Sequence, residues 1–219
     1  MAVVRILYFG RRRILDKIRS LLFDTVEIRF LNDERDLERS IDVVLIIDKA
    51  TYSMVKDLKK RHVKRLISDE YDEVDLAVLL TEIISQVMSC REVVVGIDPG
   101  EENSGVAIIH CQVPTIHLML SVNKLVRLLK ALSKLADESG LDLRICVGVG
   151  RRKSIDADMI LRSVLSLSRE IPIYFIDEER ARYRRAIIKK MTNLRTVFPD
   201  EFDAVVYALS IEEGIRFVA

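Results

Sequence analysis

The first half of the chain alternates short apolar runs with segments in which apolar residues recur every three or four positions. The short runs predict buried strands, and the recurring pattern predicts amphipathic helices. In chain order the predicted elements are strand 3–9, helix 11–22, strand 26–31, strand 42–48, helix 53–61, strand 63–68 and helix 74–88. Strands separated by helices are typical of a parallel sheet with helices on both faces. The pattern therefore predicts a small Rossmann-like parallel α/β domain over residues 1–89.

The second half starts with another strand and then follows a different order. In chain order the predicted elements are strands 92–98, 105–111 and 115–121, helix 123–139, strand 143–150, a helix from Ser154, strand 172–178, helix 182–191 and helix 200–217. Asn123 is a suitable helix N-cap, and Gly140 is a suitable helix end. Three antiparallel strands followed by helix, strand, helix, strand and helix form the order of an RNase H-like mixed-sheet α/β domain. We predict this domain over residues 92–219, with a junction at 89–91.

Composition supports two folded domains and excludes several other classes. The chain has 219 residues, of which 49% are hydrophobic and 32% are charged, so it can form cores and is not disordered. The longest apolar runs are too short to cross a bilayer, and no signal-peptide cleavage site follows the first run. Cys90, Cys111 and Cys146 are odd in number and lack metal-binding spacing, so we expect reduced thiols. These features predict a cytoplasmic protein with no membrane partner.

The first half offers little chemistry of its own. Gly10 stands alone after the first strand, which does not match a glycine-rich dinucleotide-binding turn. A phospho-receiver would carry acids at that point, where this chain has arginines at 11–13. Asp48, at the end of a later strand, is a single carboxylate. A positioning or dimerisation role is the simpler interpretation, and the alternative is that the three arginines contact phosphates near a helix N-terminus.

Two predicted strands of the second half end in carboxylates. Asp98 follows the apolar run 93–97 and precedes a turn that contains Gly100. A carboxylate at that point is held on a rigid strand and still reaches the sheet edge, as a metal ligand must. Asp177 and Glu178 end another apolar strand, and because side chains alternate along a strand, one can face a site while the other caps the next helix. An ordinary turn and a solvated acidic strand end are the structural alternatives.

A third acidic group lies at the start of the predicted last helix. Asp200 and Asp203 are three residues apart, so a helix places both on one face. Negative charge at a helix N-terminus is favoured by the helix dipole, which offers a purely structural explanation. However, Asp203 is followed by Ala204 and, one turn later, by Ala208, so this face can pack closely on a sheet. A carboxylate on such a face predicts a bound cation.

Together these segments resemble the YqgF/RuvC group of Holliday-junction-resolvase-like proteins in the RNase H-like superfamily. The resemblance extends over about residues 92–217. Its first-strand motif is Gly-Ile-Asp-Pro-Gly at 96–100, followed by Gly-Val-Ala-Ile at 105–108. The other matching segments are Ile-Cys-Val-Gly-Val-Gly at 145–150, Asp177-Glu178 with Arg180, and Asp203-Ala204.

Two positions differ from the family pattern. Glu179 follows the acid pair directly, so Arg180 stands one position later than the family's arginine. The fourth strand ends in Gly148 and Gly150, where RuvC-type resolvases carry a glutamate. The glycines favour the YqgF branch over the RuvC branch.

The resemblance implies a metal-dependent endonuclease that acts on structured nucleic acid, either branched DNA or structured RNA. Two Mg²⁺ (or Mn²⁺) ions about 3.5–4 Å apart would activate water and stabilise the leaving oxygen. Asp98 is expected to bind both ions, and Glu178 and Asp203 one each, so these three are the predicted catalytic residues. Asp177 and Asp200 are the predicted substitute ligands. A homodimer is the assembly that the two-fold symmetry of a four-way junction favours.

Basic residues follow two of the matching segments. The candidates for phosphate contacts are Arg151, Arg152, Lys153, Arg180, Arg184, Arg185, Lys189 and Lys190, and Arg182 lies in the same basic run. Phosphate contacts position a protein on nucleic acid without reading its sequence. We expect Ile187, Ile188 and Met191 to hold the second group's helix on the domain. A solvated helix face is the alternative interpretation.

Two other functions are open. A catalytically silent RNase H-fold scaffold that binds nucleic acid or protein is consistent with the shifted Arg180 and the missing fourth-strand glutamate. An actin-like ATPase also begins with an aspartate-glycine turn on this type of sheet. It needs two RNase H-like domains, however, and the sequence predicts one.

Overall fold

The structure is a computed structural model that describes residues 4–31, 45–48, 64–68, 70–150, 160, 162–166, 171–192 and 198–217. The predicted helix 53–61 lies outside the described residues, as do Arg151, Arg152, Lys153 and the start of the predicted helix at Ser154. Within that last helix, residues 162–165 are helical, and Ile160 and Val164 are buried as their spacing predicts.

The first half forms a parallel sheet of four strands in the order β2-β1-β3-β4. The strands are β1 (Val4–Phe9), β2 (Val26–Phe30), β3 (Leu45–Asp48) and β4 (Lys64–Ile67). The described helices of this half are α1 (Arg12–Arg19) and α2 (Glu73–Met88). Each adjacent pair of strands is parallel, which confirms the predicted small parallel α/β unit.

The second half forms a mixed sheet of six strands in the order β10-β9-β8-β5-β6-β7. The strands are β5 (Glu92–Asp98), β6 (Ser104–His110), β7 (Val113–Leu120), β8 (Asp142–Val149), β9 (Ile173–Asp177) and β10 (Ile215–Phe217). The helices are α3 (Val122–Ser139), α4 (Glu178–Thr192) and α5 (Pro199–Ala208). Strands β5, β6 and β7 form antiparallel hairpins, and β8 and β9 run parallel to β5. This arrangement confirms the predicted RNase H-like order.

The two ends of α3 agree with the sequence to different degrees. Gly140 ends the helix in the left-handed conformation, with φ of 65°, as predicted. The predicted N-cap Asn123 is wrong, because the helix begins earlier and Ser121 occupies the N-cap position. Ser121 makes no capping hydrogen bond with its side chain, so the helix start follows from the end of β7 at Leu120 and not from side-chain capping.

The predicted helix 200–217 is wrong over its second half. Helix α5 ends at Ala208, a 3-10 turn covers Ile211–Glu213, and the chain then forms β10. Strand β10 pairs antiparallel with β9, with Ile215 opposite Phe175. Apolar residues at 211 and 215 have helical spacing, but residues 215–217 also alternate as a short strand does. Backbone pairing with the edge of β9 selects the strand over the helix.

Side-chain alternation divides the six-stranded sheet into two faces. On β5, Val93 and Ile97 belong to the core that α2 and α3 cover, whereas Val94 belongs to the core that α4 and α5 cover. Because side chains of a strand alternate with a period of two, Gly96 and Asp98 share the face of Val94. The strand-end carboxylate therefore lies on the side of the sheet that carries α4 and α5.

The two halves of the chain are joined by backbone pairing and by a shared core. The Phe23 N–H donates to Thr115 O at 3.1 Å, and the His117 N–H donates to Leu21 O at 2.9 Å. The segment after α1 thus pairs antiparallel with β7. Buried residues of β1, α1 and α2 belong to the same cluster as one face of the six-stranded sheet. The division into domains 1–89 and 92–219 stays a prediction.

The pairing of two cysteines bears on the argument for a cytoplasmic location. Cys90 and Cys111 form a disulfide, so the expectation of reduced thiols is wrong for this pair. Cys90 precedes β5 and Cys111 follows β6, and the antiparallel pairing of Val93 with His110 brings the two cysteines together. The cysteines therefore no longer support a reducing compartment. In the described part of the chain, no helix has the length and apolar character that crossing a membrane requires.

Candidate active site

Three carboxylates from three elements meet in one cavity of about 140 Å³. Asp98 is the last residue of β5, Glu178 is the first residue of α4, and Asp203 lies in the second turn of α5. The rest of the lining is Ala181, Arg182, Arg185, Val206 and Tyr207. The structure thus brings together the three residues that the sequence predicts to be catalytic, while their catalytic role stays a prediction.

Two glycines allow α5 to lie directly on the sheet. A Cβ atom on Gly96 would lie 1.9 Å from the carbonyl oxygen of Ala204, and one on Gly105 would lie 2.3 Å from the carbonyl carbon of Asp200. Both distances are far shorter than van der Waals contact, so neither position accepts a side chain while α5 stays in place. This close approach sets Asp203 beside the end of β5.

Burial and mutual repulsion disfavour ionisation of the clustered carboxylates. Burial is the main cause that raises the pKa of Asp98 from 3.8 to about 7. Repulsion by Asp203, Asp200 and Glu178 adds to this shift, and a hydrogen bond from Tyr207 opposes it. Burial is also the main cause that raises the pKa of Glu178 and of Asp203. A cation in the cavity would favour the ionised carboxylates, because nearby opposite charge stabilises the charged form.

We expect Asp98 to make the metal-free protein less stable as the pH rises. Its pKa is raised in the folded state, so between about pH 4 and pH 7 the folded state holds more protons than the unfolded state, and stability falls across that window. Asp98→Asn removes this dependence, because asparagine stays neutral. The stability of the variant relative to the unaltered protein should be about 1–3 kcal/mol higher at pH 8 than at pH 5. Denaturant unfolding in EDTA measures the free energy of unfolding of both proteins. A difference between them that is the same at pH 5 and at pH 8 would contradict the expectation.

Arg185 makes a two-point contact with one of the three carboxylates. Its Nη1 atom lies 2.7 Å from Oδ1 and 2.8 Å from Oδ2 of Asp203. The guanidinium carbon lies 5.6 Å from the centre of the Phe202 ring, within the range of a cation–π contact. Arg185 therefore already supplies positive charge to the cavity, and any metal ion at Asp203 competes with it.

Neither of the two predicted substitute ligands lines the cavity. Asp177 Oδ1 accepts hydrogen bonds from the backbone N–H groups of residues 179–180 at 2.8 and 3.3 Å, so this carboxylate caps α4. Glu178 instead faces the cavity, as the alternation of side chains predicts for one of the two acids. Asp200 lies in the first turn of α5 and is close enough for its charge to raise the pKa of Asp98, but it does not line the cavity.

The donor set suits a hard divalent cation, since Mg²⁺ and Mn²⁺ prefer carboxylate oxygens. Among the described residues, no three carboxylate, imidazole or thiolate side chains lie near enough together to hold one ion in their present positions. Asp203 is bound by Arg185, so metal binding would require this carboxylate to release the guanidinium. The carboxylate chemistry of Asp98, Glu178 and Asp203 is what fits the predicted metal, and these three residues would be its ligands.

The residues of α4 that are predicted to contact phosphate differ in their surroundings. Arg184 is bound within the domain, because its Nη2 lies 2.7 Å from Glu213 Oε1 and its Nη1 donates to Leu209 O at 3.2 Å. These contacts tie α4 to the segment that follows α5. The exposed members of the predicted group are Arg180, Lys189 and Lys190.

The apolar contacts of α4 also differ from the prediction. Ile188 is buried, but Ile187 is 58% exposed, so the prediction that both hold the helix is wrong for Ile187. Ala181 is buried instead, and residues three and four apart on a helix share a face, which places Ala181, Arg184 and Ile188 on the inner side. The side chain of Met191 lies outside the described residues.

Tyr207 is the polar residue of the cavity lining that the sequence patterns did not indicate. It follows Asp203 by one helical turn, is 5% exposed and lines the cavity. Arg182, part of the predicted basic run, lines the cavity as well. Helical spacing could have found both, because Tyr207 is four residues from Asp203 and Arg182 is four residues from Glu178.

A buried histidine–glutamate pair supports the start of α5. His117 Nδ1, on β7, lies 3.0 Å from Glu201 Oε1, and Glu201 Oε2 accepts a hydrogen bond from the Phe198 N–H at 3.0 Å. The Phe23 ring packs on the imidazole, with their centres 4.7 Å apart. Since Glu201 lies between Asp200 and Asp203, the pair fixes the turn of helix that carries these acids.

The strand order defines an RNase H-like fold, and a small parallel sheet precedes it. No protein-family model matches the sequence, and no curated protein matches it. Among solved structures, T. thermophilus RuvC in complex with a Holliday junction substrate is similar, with 13% identity, coverage of 57% of this chain and 99% of that chain, and a TM-score of 0.43. Another Thermus thermophilus RuvC structure has 15% identity, 54% and 92% coverage and a TM-score of 0.40. Marinitoga piezophila Argonaute in complex with 5′ OH guide RNA has 10% identity, 80% and 39% coverage and a TM-score of 0.31. These TM-scores are low, so the fold assignment rests on the strand order.

Proposed function

We propose that the protein is a metal-dependent nuclease that cleaves structured nucleic acid by two-metal phosphodiester hydrolysis. The observation that carries this proposal is the convergence of Asp98, Glu178 and Asp203, from three separate elements, in one cavity. Its volume of about 140 Å³ leaves room for ions and water. Pockets that enclose a small-molecule ligand are typically about 300 Å³ or larger. The small volume argues against an ATP site at these three carboxylates.

Divalent metal, when bound, would supply activation of water and stabilisation of charge on the leaving oxygen. Asp98 is the expected shared ligand, because the charges of both Glu178 and Asp203 act on it. Arg185 would leave Asp203 as the metal binds there and would become available to a substrate phosphate. Charge-assisted contacts of this kind fix the position of the phosphodiester.

Cleavage with and without divalent metal tests the proposal. The substrates are a four-way DNA junction, a linear duplex of the same sequence and a precursor RNA with a stable hairpin. We expect cleavage of the junction or the RNA in Mg²⁺ or Mn²⁺ and none in EDTA. The absence of cleavage on all three substrates in both metals would contradict a nuclease.

One side of α4 forms a basic stripe that leads out of the cavity, defined here as Arg182, Arg185 and Lys189. Together with Glu178 these residues follow a spacing of four, three and four, so they share one side of the helix. Glu178, Arg182 and Arg185 line the cavity itself. The stripe therefore offers a path for a phosphate backbone that ends at the carboxylates.

Replacing Arg182 and Lys189 with alanine should weaken binding to every nucleic-acid substrate by a similar factor. Both side chains are exposed on α4, and phosphate contacts do not depend on base sequence. For duplex DNA, the loss of two contacts should lower the slope of log affinity against log salt by about 1.8. Fluorescence anisotropy in EDTA at several salt concentrations measures the affinity and the slope together.

Arg180 and Lys190, which the sequence also predicts to contact phosphate, provide a matched control that separates the basic stripe from the rest of that group. Both are exposed on α4, and helical spacing places them away from the basic stripe. Alanine at these two positions removes the same charge and should change the slope much less. If both pairs of substitutions lower the affinity and the slope equally, only the overall charge of the helix matters. If neither pair changes the affinity or the slope, the solvated-face interpretation is favoured.

A catalytically silent scaffold is the second candidate function. The contact of Arg185 with both oxygens of Asp203 favours it, because an arginine at this place neutralises the carboxylate without metal. The fourth-strand glycines 148 and 150 also leave the site without the glutamate of RuvC-type resolvases. A protein that binds branched DNA or RNA tightly, but does not bind Mn²⁺ or cleave, would have this function.

A further inference from the structure

Tyr207 places a hydroxyl group among the carboxylates. The residue lies on α5 one turn after Asp203 and lines the cavity, although only 5% of it is exposed. Asp98 lines the same cavity, and a hydrogen bond with the tyrosine side chain lowers the pKa of Asp98. A hydrogen bond lowers that pKa by stabilising the ionised carboxylate, so the tyrosine hydroxyl is the donor. The hydroxyl therefore restricts the orientation of the Asp98 carboxylate at the end of β5.

The position of the tyrosine ring depends on a glycine in the neighbouring strand. A Cβ atom on Gly148 of β8 would lie 2.3 Å from Cε2 and 2.6 Å from Cζ of Tyr207. Gly150 directly follows β8, and a Cβ atom there would lie 2.3 Å from Oε2 of Glu178. Tyr207 and Glu178 both line the cavity, so both glycines make room on the side of the sheet where the cavity lies. The end of β8 thus provides the space that Tyr207 and Glu178 occupy.

We propose that Tyr207 is a positioning residue that holds Asp98 in the orientation required for metal binding, and that Gly148 is required because it admits the tyrosine ring. The inference rests on the proposed function, since it takes Asp98 as a metal ligand. Groups that hydrogen-bond to a metal ligand fix its orientation, and their loss typically lowers metal affinity about 10- to 100-fold. Tyr207 fills this role from α5, the same helix that supplies Asp203.

Tyr207→Phe tests the inference, because it removes the hydroxyl and keeps the ring that packs against Gly148. Mn²⁺ titration of the full chain, followed by electron paramagnetic resonance of free Mn²⁺ and without nucleic acid, measures metal affinity directly. We expect the affinity to fall about 10-fold while the melting temperature in EDTA stays within a few degrees. In cleavage assays the defect should shrink as the Mn²⁺ concentration rises, which a general loss of stability would not produce.

Tyr183→Phe is the matched control, because it makes the same chemical change on a side chain that is 84% exposed and does not line the cavity. It should leave the Mn²⁺ affinity unchanged. Gly148→Ala should lower the affinity as Tyr207→Phe does, since the added methyl group displaces the ring. In a Tyr207→Ala background, Gly148→Ala should cost no further affinity, because no ring remains to collide with it.

The outcomes separate this inference from the proposed function. If the unaltered protein binds Mn²⁺ and Tyr207→Phe binds it equally well, the positioning role is overturned and the nuclease proposal stands. If the unaltered protein binds no Mn²⁺, the metal-dependent function is overturned, and the positioning role with it. A loss of affinity in Tyr207→Phe but not in Tyr183→Phe supports the role.

Discussion

Asp98→Asn should lower the rate of metal-dependent cleavage by at least about 100-fold and leave the affinity for nucleic acid within about twofold. Asp98 lies at the end of β5, where the charges of both Asp203 and Glu178 act on it, so its loss removes the expected shared ligand. Asparagine has nearly the same shape, and the basic stripe of α4 is unchanged. Single-turnover cleavage of the preferred substrate measures the rate, and anisotropy in EDTA measures the affinity.

Asp137→Asn is the control for the same chemical change. Asp137 is exposed on α3, which covers the opposite face of the sheet from α4 and α5. This variant should cleave at the rate of the unaltered protein. If Asp98→Asn also cleaves at that rate, Asp98 is not a metal ligand and the two-metal mechanism is wrong for this protein.

Gly96→Ala should destabilise the protein by about 3 kcal/mol or more and abolish cleavage. The added Cβ atom would lie 1.9 Å from the carbonyl oxygen of Ala204, and a backbone atom cannot rotate away as a side chain can. Relief requires α5 to move off the sheet, which carries Asp203 away from Asp98. For a chain of this size, we expect the melting temperature to fall by roughly 6–12 °C. Thermal unfolding followed by circular dichroism checks this value.

Gly140→Ala separates this effect from the general cost of replacing a glycine. Gly140 has φ of 65° and no heavy atom within 4 Å of an added Cβ, so alanine there meets conformational strain but no collision. It should cost only about 1 kcal/mol and preserve cleavage. If the two variants lose equal stability, the close approach of α5 to β5 is not the reason for glycine at position 96.

The three carboxylates of the site could be predicted because each is marked by its own neighbours in the chain. A buried run ends at Asp98, another ends at the pair Asp177-Glu178, and Asp203 stands beside alanines near the start of a helix. Strand alternation even predicted that one acid of the pair would face the site, and the structure shows that it is Glu178. Local patterns of this kind are independent of how the chain folds back on itself.

The surroundings of the site could not be predicted, because they depend on residues far apart in the sequence. In the sequence, Gly148 and Gly150 stand where RuvC-type resolvases carry a glutamate. In the structure, Tyr207 and Glu178 occupy the space beside these glycines. In the sequence Arg184 resembles its basic neighbours, and its contacts with Leu209 and Glu213, both after α5, distinguish it in the structure. The side chain that fills a cavity is decided by packing between elements.

By itself, the sequence determined the order of the described strands and helices as far as α5, the end of α3 at Gly140 and the positions of the acids, because short-range periodicity and backbone preference decide these features. Only the tertiary structure decided that residues 215–217 form an edge strand and that Cys90 joins Cys111. The strand exists because β9 offers unpaired backbone groups, and the disulfide exists because β5 and β6 are antiparallel. The local pattern of residues 215–217 fits a helix or a strand, and that of the cysteines fits free thiols or a disulfide. In both cases a partner distant in the chain decides which one forms.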